Sequence, residues 1–333
     1  MTHIQQENST KSYFGASLPV RQDDALLNAR LAGTNTLYVV FQGAAGAAGT
    51  DRMKDPALLR VIEQAQRYIE TLPHVGKTLS IVDFVRQMNR SMNGGQPAFD
   101  RVPATAQQVS QYLLLYSMSG QPTDFDSYID YDYRNANLIV WMKNDSSHYA
   151  ESVLAQIRAH LQPMLPPDVQ IQIGGSVPQT SALTQTLVRG KALNIAQMIG
   201  VVFVAGMLAF RSVLAGLYLI APLLVTVLVN FGVMGLTGIP LNTPNSVSSA
   251  MAIGIGADYA IYLLFRMREE CERLGDFDQA LRETMRTAGQ AVVYVASAIA
   301  GGYSVLMLSF GFYVHIWFGI LILMVVEIGL IAP

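Results

Sequence analysis

The sequence predicts an α-helical membrane bundle of five spans, preceded by an α+β soluble domain with two βαβ-like halves. Of the 333 residues 51% are apolar and only 14% are charged, which is unusual for a soluble globule. The charge is also unevenly spread, because residues 1–190 carry 15 basic and 16 acidic side chains and residues 191–333 carry 7 and 8. The residues before about position 190 are therefore expected in water, and those after it mainly in a membrane.

The first 190 residues alternate between strand and helix patterns. Residues 35–41 and 136–142 are rich in β-branched and aromatic residues and predict strands, and residues 169–173 predict a short third strand. Apolar residues at helical spacing predict helices over 56–72, 107–118 and 147–165, with Pro56 suited to a first helical turn. Strand, helix and strand thus occur twice, which predicts two βαβ-type halves with helices packed on sheet, and the sequence leaves the strand pairing open.

The remaining residues consist mainly of five apolar runs. Each has 18–24 residues, enough for a helix to cross about 30 Å of hydrocarbon. The predicted spans are residues 193–210, 213–236, 246–265, 291–310 and 312–332. A continuous helix over residues 181–193 is expected to lead into the first of them.

The loops between the spans predict an orientation. Residues 266–290 contain five arginines, whereas the loop TGIPLNTPN is uncharged, so the arginine-rich loop is expected in the cytoplasm and residues 1–190 outside. Arg189 and Lys191 do not fit this rule, because they are basic residues at the membrane end that is expected to lie outside. Residues 1–14 have no apolar core of a signal peptide, so we expect a longer polypeptide with at least one preceding helix.

Asp258 is the strongest candidate functional residue, because it lies near the middle of the third span. A carboxyl at that depth costs about 2.5–3.5 kcal/mol on insertion scales, so it indicates a function such as proton transfer. Ala250, Gly254 and Asp258 fall on one helix face, and Gly256 is a further small residue nearby. These small residues would let a neighbouring helix cover the carboxyl. A structural carboxyl bonded to another helix is the alternative.

Four further polar residues within the spans are possible partners of Asp258. Glu327 is the second intramembrane acid, and Asn230, Tyr294 and Ser297 could donate or accept hydrogen bonds across helices. The sequence leaves open which of them face Asp258. His315 is expected at the outer membrane interface, in an aromatic belt.

Several functions lack the residues that they need. The net charge of −2 argues against nucleic-acid binding, and the single cysteine excludes an internal disulfide. The aspartates at 124, 126, 130 and 132 lack the glycine and glutamate of an EF-hand, and glycines 43, 46 and 49 lack the Gly-Lys-Ser/Thr of a P-loop. No hydrolytic motif or histidine pair is present, so we expect a protein that is not an enzyme and has no cofactor or metal.

These motifs together resemble a resistance-nodulation-division (RND) transporter of the MMPL type, in the hydrophobe/amphiphile-exporter branch. The most specific match is GIGADYAIYLLFRMREE, Gly254–Glu270. ALRETMRTAGQAVV and the GFY…FG start of the last span are also similar. LPHVGKTLSIVDFVRQMN, QYLLLYSMSG and DYDYRNANLIVW resemble a periplasmic porter domain.

The resemblance implies a protein of two repeats, of which this chain would be most of the second. It implies a proton relay at Asp258 with Tyr259 beside it, and export of lipids or other hydrophobic molecules from a bacterial inner membrane. The expected partners are the lipid substrate, the membrane, the missing repeat and further copies of the chain. A lipid-sensing module resembling sterol-sensing domains is the alternative, and an accessory subunit of a protein-export machine is a third reading.

Overall fold

The computed structural model describes residues 6–46 and 49–331. Contacts divide the chain into two compact units, one formed by Gln22–Ala182 and the other by the residues up to Arg21 together with those from Leu183 onward. We call them the soluble unit and the membrane unit.

Helices and a small sheet alternate through the first part of the chain. They are α1 (Pro19–Arg30), β1 (Asn35–Gly43), α2 (Pro56–Glu70), β2 (Val75–Leu79), α3 (Ile81–Met92), α4 (Ala106–Ser119), β3 (Asn135–Met142), α5 (Ser147–Leu161) and β4 (Val169–Gly174). The three predicted strands and three predicted helices are thus present. Sequence patterns missed β2 and the helices α1 and α3.

The four strands form one sheet in the order β2-β3-β1-β4, and every neighbouring pair is antiparallel. Strands β1 and β2 consequently run in the same direction with β3 between them, and β3 and β4 do so with β1 between them. Each half is therefore a split βαβ unit, and the two halves interleave. Because β4 pairs with β1, the chain enters and leaves the sheet side by side, where Ser176 Oγ accepts from the Thr36 amide at 3.1 Å.

The core of the soluble unit lies between the sheet and its helices. Leu37, Val39, Leu59, Ile62 and Leu138 are among its fully buried side chains. Burial of such side chains contributes roughly 1.5–3 kcal/mol each.

Helix α3 begins with a capping box. Ser80 Oγ accepts from the Val82 amide at 3.1 Å, and Asp83 Oδ2 accepts from the Ser80 amide at 2.9 Å. These bonds satisfy orphan donors of the first turn. The apolar residues after Ser80 therefore form a helical face rather than the mixed segment that their spacing suggested.

Among the described residues, five helical runs are long and apolar enough to span a bilayer, and the first of them begins in the soluble unit. They are α6 (Ser176–Phe210), α7 (Val213–Thr237), α8 (Thr243–Leu274), the run Phe277–Leu308 and α11 (Tyr313–Ile331). The run Phe277–Leu308 comprises α9 (Phe277–Thr284), a π-helical turn (Met285–Gly289), α10 (Gln290–Ser304) and a final 3-10 turn. The predicted bundle of five spans is confirmed.

The segment between the third and fourth predicted spans is largely helical. Helix α8 has 32 residues, about 48 Å, and so exceeds the hydrocarbon thickness. It ends at Gly275, whose φ of 68° is left-handed, and Asp276 caps α9 by accepting from the Gln279 amide at 2.9 Å. A glycine C-cap and an aspartate N-cap thus make a tight helical hairpin.

The described residues before α1, 6–18, belong to the membrane unit. Asn8 Nδ2 donates to Thr184 Oγ1 at 2.9 Å, and the Thr243 amide donates to Asn8 Oδ1 at 2.8 Å. Asn8 therefore joins α6 to the start of α8.

Candidate proton-relay site

Asp258 lies in the middle of α8, fifteen residues after its start at Thr243 and eight before Arg266. At 1.5 Å per residue, Arg266 is about 12 Å further along the helix. The carboxyl is therefore far from the charged segment that follows the span.

The Asp258 side chain is exposed on the surface of the membrane unit. It shares its face of α8 with exposed Val247, Gly254, Tyr262 and Phe265, which recur at helical spacing. Within the described residues Asp258 has neither a hydrogen bond nor an ion pair. The carboxyl is thus available to a group from outside this five-helix unit.

Tyr259 points in a different direction, because neighbouring residues of a helix are about 100° apart. Its side chain is buried in an apolar cluster with Val292 and Ala296 of α10 and Ile322 and Val326 of α11. Its hydroxyl is buried without a hydrogen-bond partner in the described part of the chain. An unpaired buried hydroxyl costs about 1–3 kcal/mol, so it marks a place where a water or a moving group could bind.

Two of the small residues near Asp258 have different surroundings. Gly256 is buried against α7, where an added Cβ would come within 3.0 Å of Leu223. Gly254 is exposed, with no atom within 4 Å of such a Cβ, and Ala250 is partly exposed. Gly256 therefore packs inside the unit, and Gly254 leaves open the face that carries Asp258.

The candidate partners of Asp258 make no hydrogen bond to it. Tyr294, Ser297 and Glu327 are exposed on α10 and α11. Asn230 of α7 is fully buried, and its Oδ1 accepts a long bond of 3.5 Å from Ser248 Oγ. Since Ser248 lies ten residues before Asp258, Asn230 is about 15 Å away along the helix axis.

Asn230 belongs instead to a buried polar cluster that sequence analysis missed. Asn242, Asn245 and Ser248 are fully buried around the start of α8. Asn245 Nδ2 donates to the Pro240 carbonyl at 2.9 Å, whereas Asn245 Oδ1, Asn242 Nδ2 and Asn230 Nδ2 have no partner among the described residues. The polar run LNTPNS between two apolar spans was the available signal.

A second missed feature is the carboxylate of Glu270, which is 1% exposed. It lies 2.5 Å from Arg266 and 2.6 Å from Arg273. Arg266 Nε also donates to Thr287 Oγ1 of the π-helical turn at 3.3 Å. Glu270 therefore pairs with two arginines of its own helix, and one of them, Arg266, bonds to the start of the next run.

The described residues contain no group of three or more histidine, cysteine or acidic side chains that could hold a metal ion. Three of the four aspartates that precede β3, at positions 124, 130 and 132, have ordinary structural contacts. Asp130 Oδ1, for example, accepts from the Arg134 amide at 2.7 Å and the Asn135 amide at 2.9 Å.

Comparison with known families matches residues 34–326 to the MMPL family. The chain belongs to the MMPL family. The match covers both units, so the RND-type resemblance inferred from Gly254–Glu270 and from the porter-like segments is confirmed.

Individual relatives agree with this assignment. Protein MJ1562 of Methanocaldococcus jannaschii, a membrane protein by its name, is 22% identical over 259 residues, which is 77% of this chain and 63% of that protein. The probable trehalose monomycolate exporter MmpL3 of Mycobacterium leprae is 33% identical over 159 residues, or 44% of this chain and 16% of MmpL3. The chain thus spans less than two thirds of either protein.

A solved structure supports the fold. The hedgehog release protein Disp of the water bear Hypsibius dujardini matches 98% of this chain and 43% of its own, with a TM-score of 0.58 and 13% identity. The chain therefore has the Disp-like RND fold and is a multi-pass membrane protein.

Proposed function

We propose that this MMPL-family chain is one repeat of an exporter that uses the proton-motive force to move lipids or other amphiphilic molecules out of the inner membrane. The observation that carries the proposal is Asp258, a carboxyl without a partner in the described residues, exposed at the middle of a spanning helix. An ionised carboxyl that faces hydrocarbon has a high free energy. Asp258 is therefore expected to be covered by protein, or to be protonated, for part of the transport cycle.

The cover is expected to be the other repeat of the same polypeptide. The exposed stripe of α8 contains Gly254 one turn before Asp258, which lets another helix approach closely. Relatives that are much longer than the matched region are consistent with a second repeat. A basic or hydrogen-bonding group of that repeat would be the immediate partner of the carboxyl.

Proton binding would supply the driving force. One elementary charge that crosses the membrane potential gains about 2.3 kcal/mol per 100 mV. Protonation neutralises Asp258, which removes its attraction to a basic partner and changes how α8 packs against the other repeat. Tyr259 is expected to follow this change, since its buried hydroxyl has no partner in the described residues.

Helix α6 is the proposed route to the soluble unit. It is one helix of 35 residues, and it starts two residues after the end of β4. Movement of α6 would therefore reach the sheet through a short connection. A pair of prolines at Thr186 and Leu187 should break this helix, and unchanged proton-coupled export in that variant would exclude α6 as the route.

The soluble unit is expected to lie in the periplasm, and the arginine-rich hairpin after α8 in the cytoplasm. Lipids are the expected cargo class, in line with the trehalose monomycolate named for the Mycobacterium leprae relative. The apolar stripe around Asp258 does not select a particular lipid.

The test replaces Asp258 by asparagine in the full-length parent protein, at equal abundance, and compares inner- and outer-membrane lipids by mass spectrometry. The expected result is one lipid class retained in the inner membrane, with partial recovery for Asp258→Glu. Asp278→Asn is the control, because it removes an exposed carboxyl in the first turn of α9, before the apolar part of that run. Normal lipid profiles for Asp258→Asn, where deletion changes them, would refute the relay and favour a lipid-sensing module.

A further inference from the structure

A cavity of about 360 Å³ lies in the soluble unit, remote in sequence from Asp258. Helices α2, α3 and α4 and the segment before α4 contribute to its wall. The polar lining includes Arg60, Asn93, Arg101 and Gln108, with the Phe99 ring beside them.

The two arginines carry an uncompensated positive charge. The nearby carboxylates are paired with other arginines, since Glu63 binds Arg67 at 2.8 Å and Arg86 at 3.3 Å. Asp100 binds Arg86 at 2.9 Å. Arg60 and Arg101 form no ion pair with any described residue, so their charges are free to attract an anion.

Arg101 is nevertheless held in place. Its guanidinium lies 5.9 Å from the centre of the Phe99 ring, an arrangement that orients the cation without neutralising it. The backbone of both residues is fixed by Asn89, whose Nδ2 donates to the Phe99 carbonyl at 3.0 Å and to the Arg101 carbonyl at 2.9 Å. Asn89 is 5% exposed, and Tyr112 donates to its Oδ1 at 3.1 Å. The backbone of this part of the cavity wall is thus fixed by a buried asparagine.

Other groups add donors for an anion. The Gln108 side-chain amide lines the cavity and makes no hydrogen bond with the described residues. Gln108 is also in the first turn of α4, so the positive end of that helix adds to the two guanidinium groups.

We propose that this cavity binds a phosphate group, with Arg60 and Arg101 as the ligands of the phosphate oxygens. Guanidinium groups donate paired hydrogen bonds to phosphate, and the Phe99 ring offers an apolar wall for the attached carbon atoms. The phosphate could come from a lipid headgroup or from free phosphate. Its assignment to an exported amphiphile rests on the proposed function, whereas phosphate binding itself does not.

The test is a calorimetric titration of the full chain in a neutral detergent, without any ion gradient. The probes are inorganic phosphate, dihexanoyl phosphatidylglycerol and dihexanoyl phosphatidylcholine, the lipids being kept below their micellar concentrations. Saturable binding of an anionic probe is expected. Its dissociation constant should rise about tenfold in Arg60→Gln and in Arg101→Gln, and the binding should weaken with added NaCl. Both side chains are exposed, so the variants should fold.

Arg158→Gln is the matched control, because Arg158 is an exposed arginine of α5 outside the cavity and its loss should leave binding unchanged. Tighter binding of phosphatidylglycerol than of inorganic phosphate identifies a lipid headgroup, and the reverse order identifies free phosphate. Absence of saturable binding for both anionic probes, or equal binding by the Arg60→Gln/Arg101→Gln double variant, would overturn the proposal. Asp258→Asn should bind normally even if export is lost, which separates this inference from the proposed function.

Discussion

Replacing Glu270 by glutamine should destabilise the membrane unit much more than the same change at its neighbour Glu269. Both carboxylates contact Arg266, Glu270 at 2.5 Å and Glu269 at 2.7 Å, but Glu270 is 1% exposed and Glu269 is 66% exposed. Glu270 also binds Arg273 at 2.6 Å. The pair of variants therefore separates burial from the mere presence of an ion pair.

The magnitude follows from the exposure of the three groups. Breaking a fully buried ion pair costs about 3–5 kcal/mol, and an exposed pair contributes about 0–1 kcal/mol. Arg266 and Arg273 are 31% and 59% exposed, so water partly screens both guanidinium groups. We expect a loss of about 2 kcal/mol for Glu270→Gln and at most about 0.5 kcal/mol for Glu269→Gln.

The free energy of unfolding can be measured by titrating the protein in mild detergent with SDS. A Trp141→Phe background leaves Trp317 of α11 as the only tryptophan, so its fluorescence follows the membrane unit. If the two glutamine variants differ by less than about 0.5 kcal/mol, the burial of Glu270 does not have the energetic role argued from its contacts.

Three predictions concern the soluble unit and can be followed by Trp141 fluorescence in the full chain with Trp317 replaced by phenylalanine. Ser80→Ala should lower its free energy of unfolding by about 1–2 kcal/mol, because the variant loses the cap of α3, and chemical denaturation would show a smaller loss if the cap is unimportant. Leu59→Ala should cost about 2–5 kcal/mol because Leu59 is fully buried, whereas Leu115→Ala, at a side chain 47% exposed, should cost far less. Burial raises the pKa of Tyr149 from 10.0 to about 12. As the pH rises, the unfolded state therefore loses this proton before the folded state does. The contribution of Tyr149 to the free energy of unfolding is fully present below pH 10 and should fall as the pH rises towards 12. Tyr149→Phe should remove that part of the pH dependence, and identical alkaline denaturation curves for the two proteins would contradict it.

Much of the fold could be predicted because its signals are local. An apolar run of about 20 residues has few alternatives to a spanning helix, and β1 and β3 contain dense β-branched and aromatic residues. Strand β2 was missed because it is a five-residue edge strand containing Gly76 and Lys77, both exposed. Its place depends on pairing with β3, some sixty residues later, and no local pattern encodes that pairing.

The candidate site shows a similar division. Asp258 was identified because a single acid in an apolar run is locally unusual. The directions of Asn230, Tyr259 and Glu327 depend on how the helices rotate and pack, which helical spacing within one span does not determine. Glu270 was also hidden by its context, because an acid among alternating charges ordinarily indicates a solvated helix surface.

The side-by-side path of the chain into and out of the sheet has a consequence for how such proteins change. Because β1 and β4 are neighbours and Ser176 bonds to Thr36, the segment of residues 36–176 begins and ends at adjacent positions. Another domain with equally close termini could replace this segment without changing the distance between the two junctions. Domain exchange at these two positions would therefore replace most of the soluble unit and keep the sequence of the spanning helices, and chimeras joined there are the natural ones to build.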